Sequence, residues 1–104
     1  LGRGMVFNKF TGARGKSGSS DASAEYLGQL RRMMDENNVS YQLAELGRVD
    51  LGGGGTIAYI MARYGMDVID NGVAVMSMHA PWEVTSKVDI YEMKKGYDVF
   101  LRNV

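Results

Sequence analysis

Along this chain the spacing of apolar residues switches between the alternation of a strand and the three-to-four-residue repeat of a helix. That succession limits the fold more than any single motif does. Residues 4–10, with Met5, Val6 and Phe7 in sequence, read as a short strand. They run into residues 11–20, a basic loop rich in glycine and serine. Ser20 or Asp21 is a natural N-cap, and Glu25 sits where the positive end of a helix dipole favours an acid. Tyr26, Leu27, Leu30, Met33 and Met34 then recur at helical spacing until Asn37 and Asn38. Residues 39–46 read as the next strand, Asp50 and the glycines 52–55 follow, and Thr56 opens a helix that Gly65 stops. Residues 66–70 and 73–78 read as two strands around an Asn71-Gly72 turn or bulge, and a final helix runs from about Glu83 to Asn103. This order predicts an α/β fold, a mainly parallel sheet with helices on both faces. In such sheets ligands gather beyond the carboxyl ends of strands, where the loop 12–20, the glycine run and His79 all fall.

Composition narrows the function classes. With 104 residues, the chain is read as one domain or a piece of one, spanning 1–104. It starts at Leu1 and enters a strand almost at once, so it is expected to be the C-terminal part of a longer polypeptide. Twelve basic and twelve acidic residues cancel, which leaves no electrostatic footprint for nucleic acid or an anionic membrane. Zero cysteines exclude a disulfide scaffold and a thiol nucleophile and are compatible with a reducing cytoplasm. No stretch approaches the roughly 20 apolar residues of a membrane span.

Each chemical motif has a plain structural reading beside the functional one. Four consecutive glycines before a helix expose N–H groups to an anion or substrate, or simply permit close packing. They are not a nucleotide loop, since the lysine of that motif is missing and Asp67 and Asp70 fit a ribose role only loosely. Arg14 and Lys16 are candidates for an anion clamp or a solvated loop. Asp21, Asp50 and Glu83 serve equally well as cap, turn residue and dipole compensation for the last helix. The eight methionines fall mostly at core positions. His79, the sole histidine, ends an apolar run with a carboxylate, Glu83, four residues on; that arrangement presents an imidazole to a metal and lets the acid take the other ring N–H. A catalytic zinc needs about three protein ligands, so a complete metal site within these residues is not expected.

Three segments, taken in order, carry a resemblance. They are Val49-Asp50-Leu51-Gly52-Gly53-Gly54-Gly55-Thr56-Ile57-Ala58, then Gly65-Met66-Asp67-Val68-Ile69-Asp70-Asn71-Gly72, then Met78-His79-Ala80-Pro81-Trp82-Glu83. They resemble the C-terminal end of the aminopeptidase I and aspartyl aminopeptidase family of dinuclear zinc metallopeptidases. Residues 9–25 resemble its bacterial branch, and the similarity covers essentially the whole chain.

The resemblance implies a large cytoplasmic homo-oligomeric metalloaminopeptidase acting on peptides, with no nucleic-acid or membrane partner. It implies a three-layer α/β peptidase core, two zinc ions (cobalt or manganese as alternatives) and metal-activated water attacking the N-terminal peptide bond. His79 inherits a metal-ligand role. Gly54, Gly55 and Thr56 are expected to contact substrate, Lys9 is the nearest match to a substrate-contacting lysine, and Glu83 supports the histidine without touching metal. The glutamate general base and the remaining ligands are expected upstream, so no catalytic residue is expected here. The rival readings are a catalytically inactive binding or assembly module on the same scaffold, and a phosphate-binding domain that uses the glycine run.

Overall fold

The protein is described by a computed structural model, which covers residues 1–12, 18–46 and 56–104. In chain order the elements are β1 (Met5–Gly12), β2 (Ser19–Asp21), α1 (Ala24–Glu36), β3 (Tyr41–Leu46), α2 (Ala58–Ala62), β4 (Asp70–Gly72), β5 (Val75–Met76), β6 (Val84–Thr85) and α3 (Lys87–Asn103). One sheet has the order β2-β1-β3 with β4 also paired to β1, and β5 and β6 form a two-stranded ribbon. The α/β content matches the expectation, but the mainly parallel arrangement does not describe the pairings seen in register. β1 and β2 run antiparallel with Phe10 opposite Asp21, and β5 and β6 run antiparallel with Val75 opposite Thr85. Both connections are too short for the crossover that a parallel pair needs.

The chain divides into two compact units. The first comprises Leu1–Val6, Gln29–Gln42 and Asn71–Val104. Its core is Met5, Leu30, Met34 and Val39, each contributing about 1.5–3 kcal/mol by burial. Met34 and Val39 also close α1: Val39 N–H donates to Met34 C=O and Asn38 N–H to Asp35 C=O, with Asn38 left-handed at φ 55. α3 packs onto Met5 through Gly96, where any Cβ would strike the Met5 sulfur. It is latched to the turn after α1 at two points. Ser40 N–H donates to Glu92 (2.8 Å) and Lys95 Nζ donates to Asn38 C=O (2.8 Å).

The second unit comprises Phe7–Gly28 and Leu43–Asp70, with Phe7, Thr11, Ala22, Leu27 and Ala58 buried and α2 packed against β2. Several boundaries move from those expected. Ser20 and Asp21 lie in β2 and Ser23 instead takes the Tyr26 N–H at the start of α1. Of the expected strand 66–70 only Asp70 pairs, and of 73–78 only Val75 and Met76. The last helix starts at Lys87 rather than Glu83, because Val84 and Thr85 pair with β5 and Ser86 Oγ accepts the Val88 N–H (3.2 Å) as the N-cap. No helix among the described residues is long and apolar enough to cross a membrane.

Candidate functional site

His79 lies in the loop between β5 and β6, three residues beyond the strand it was expected to end. The loop turns sharply because Ser77 (φ 58) and His79 (φ 69) are both left-handed, a conformation that costs a non-glycine residue of order 1–3 kcal/mol. Two hydrogen bonds hold it. Ala80 N–H donates to Ser77 C=O (3.0 Å), and His79 N–H donates to Glu83 Oε1 (2.5 Å). Glu83 therefore grips the backbone of the histidine rather than its ring. It neither accepts the second ring N–H nor compensates the dipole of α3, which begins four residues later. The imidazole is left exposed. Its nitrogen suits zinc, but no group of three or more His, Cys, Asp or Glu able to hold a metal occurs among the described residues. Among the described residues, His79 thus stands as a nitrogen donor outside any such cluster.

Thr56, the residue after the glycine run, is tied to Asp70. Thr56 Oγ1 donates to Asp70 Oδ2 (2.6 Å) and accepts from Ala58 N–H (3.2 Å), capping the start of α2. Thr11, buried near the end of β1, donates to the same Asp70 oxygen (2.7 Å). One carboxylate oxygen thus joins the end of β1, the approach to α2 and the start of β4.

Lys9 lies on β1 with its ammonium on Asp21 Oδ1 (2.5 Å) across the β1–β2 hairpin, a solvent-exposed pair contributing at most about 1 kcal/mol. To meet a substrate it must leave Asp21. Gly54 and Gly55, with Arg14, Lys16 and Asp50, lie outside the described residues. Asp67, weighed for a ribose role, is exposed; burial, with this carboxylate adding to it, pushes the Tyr26 phenol up.

Two carboxylates were missed by sequence reasoning. Asp70 was weighed only as a weak ribose candidate. Asp89 is fully buried on α3 and accepts the N–H groups of Gly2 and Gly4, both at 2.8 Å. The available signal for Asp89 was its seven-residue spacing from Gly96, which puts an acid and the smallest residue on one helix face. An open cleft of about 620 Å³ lined by Arg3, Asp35, Val39, Ser40, Tyr41 and Gln42 contains none of the expected site residues.

The family model described as aminopeptidase I zinc metalloprotease (M18) matches residues 1–101. A probable M18 family aminopeptidase 1 of Clostridium acetobutylicum is 64% identical over 103 residues, covering 99% of this chain and 22% of that protein. Its counterpart in Thermotoga maritima is 48% identical over 97 residues, 93% of this chain and 22% of that protein. Among solved structures, the aminopeptidase I from Clostridium acetobutylicum superposes with a TM-score of 0.87 at 64% identity, over 97% of this chain and 22% of that one. The aminopeptidase I from Borrelia burgdorferi B31 gives 0.74 at 37% identity, over 96% of this chain and 21% of that one. The chain therefore spans about a fifth of the length of these relatives. It belongs to the aminopeptidase I zinc metalloprotease (M18) family.

Proposed function

We propose that the protein containing this chain is a zinc-dependent aminopeptidase that hydrolyses the N-terminal peptide bond. In this reading residues 1–104 are the C-terminal part of its catalytic domain, within a three-layer α/β fold. The match to the zinc metalloprotease family along residues 1–101 carries the proposal. His79 supplies one metal-ligating nitrogen, and the bond from its backbone N–H to Glu83 holds the turn that carries it. Gly54, Gly55 and Thr56 form part of the substrate wall, and Lys9 reaches substrate by exchanging its Asp21 partner. A metal pair held there, zinc or in its place cobalt or manganese, would supply activation of water and polarisation of the scissile carbonyl. The general base comes from outside these residues. The enzyme so described is cytoplasmic and self-associating, with peptides as its substrates.

The test is made on the full-length protein. His79→Ala is expected to lower both the zinc content per chain, measured by mass spectrometry, and the hydrolysis of an aminoacyl-nitroanilide, the latter by more than about a hundredfold. Glu83→Ala, which removes the acceptor of the His79 N–H, is expected to fall in between. Full zinc content and full activity in His79→Ala would sink the assignment of the histidine.

A further inference from the structure

Resting on the substrate-wall reading of Thr56 above, we infer that Asp70 is a positioning residue. It makes the Thr56 hydroxyl an obligate hydrogen-bond acceptor, so that Thr56 receives an N–H of the peptide substrate and not its carbonyl oxygen.

The argument is a count of protons and lone pairs. A threonine hydroxyl has one proton to give and two lone pairs to offer, and left alone it rotates to suit whatever faces it. Here the Thr56 proton is committed to Asp70 Oδ2 at 2.6 Å. One lone pair takes the Ala58 N–H at 3.2 Å. Thr11 does not relieve Asp70 of this bond, because its own proton goes to the same oxygen at 2.7 Å. The two hydroxyl oxygens lie 3.4 Å apart, and with both protons directed at the carboxylate none is left to lie between them. Thr11 is 2% exposed, so water does not readily exchange into that side of the cluster. Among the described residues, what remains on Thr56 is a single lone pair on a residue that is only partly buried. A carboxylate behind a hydroxyl also polarises it, making the outward oxygen a better acceptor and a poorer donor. Two groups of an aminopeptidase substrate answer this description, the α-ammonium and a backbone amide N–H. A substrate carbonyl does not.

The experiment uses the full-length enzyme and steady-state kinetics on short peptides. Thr56→Val, which keeps the shape and removes the hydroxyl, is expected to raise KM about tenfold, the usual worth of one hydrogen bond, with a smaller change in kcat. Thr56→Ser, which keeps the hydroxyl, is expected to undo most of the rise in KM seen in Thr56→Val. Asp70→Leu is expected to raise KM as Thr56→Val does, whereas Asp70→Asn, which retains an acceptor oxygen, rescues it. A merely structural role would move the melting temperature in all four variants and leave this pattern in KM absent.

The substrate arm needs no risky variant. Methylating the amide nitrogen of the second peptide bond, or using a des-amino analogue as a competitive inhibitor, removes one donor at a time. Whichever loss weakens binding to wild type but adds nothing in Thr56→Val identifies the partner. If neither loss behaves so, or if KM is unmoved in Thr56→Val of an enzyme that cleaves peptides normally, this inference fails alone. A wild-type protein with no peptidase activity would overturn both this inference and the function on which it rests.

Discussion

At the scale of single residues, two carboxylates do work that their neighbours in sequence do not announce. Asp89 is the clearest. The Gly2 N–H holds its carboxyl below the usual carboxylate range; burial opposes this and the Gly4 N–H adds to it. A carboxylate whose folded pKa is depressed stabilises the protein fully above the unfolded value of about 3.9, and that contribution is lost as pH falls through the folded value. Glu92, held down chiefly by the Ser40 N–H, acts in the same direction. Urea midpoints measured from pH 7 to pH 2 are therefore expected to fall on the acid side. Asp89→Asn, which turns a donor towards one of the two glycine N–H groups, should be less stable at neutral pH and show a shallower acid limb. Parallel curves for the two proteins would refute this. The identity of Asp89 as an acid on a buried helix face was open to reading from its spacing to Gly96. Its partners were not, because they lie 85 and 87 residues away.

Among the elements, the approach of the chain before β1 to the chain before β3 depends on one glycine. Met5 N–H donates to Ser40 C=O at 3.1 Å, and Gly4 sits over the same carbonyl with φ 99. A Cβ there would both strain the backbone and collide with the Ser40 carbonyl. Gly4→Ala is expected to cost about 2–4 kcal/mol in equilibrium unfolding, with no compensation because the obstacle is main chain rather than a side chain that can swing away. The helices were the most legible elements. α1 and α3 carry an apolar repeat over several turns, and α1 ends at the asparagines expected to stop it. Short strands were not. β2, with three residues, was read as loop and cap, and β5 and β6 have two residues each, too few for any alternation to be seen. What makes them strands is a partner, and a partner is a tertiary fact.

Across the whole molecule, large apolar side chains stay exposed in both units. In the first, Trp82 is 87% and Leu101 74% exposed, with Ile90 and Tyr97 also open on the flank of α3 that carries Leu101. In the second, Ile57 and Tyr64 are 72% and 76% exposed. Surfaces of this kind seek cover. The 104-residue chain, prepared by itself, is expected to enhance the fluorescence of anilinonaphthalene sulfonate and to self-associate with rising concentration in sedimentation velocity; a dye-silent monomer would contradict this. The sequence alone determined the α/β character, the helices, the absence of a thiol or a strong net charge, and the family, because ordered motifs and residue counts are properties of the chain itself. It also singled out His79 as the imidazole. Only the tertiary structure decided that Glu83 grips the backbone of that histidine, that Asp70 gathers two threonine protons from 59 and 14 residues away, and that Asp89 anchors Gly2 and Gly4. A carboxylate has several lone pairs and no sequence mark for which donors will fill them, and the choice is made only when the folded chain brings those donors within reach.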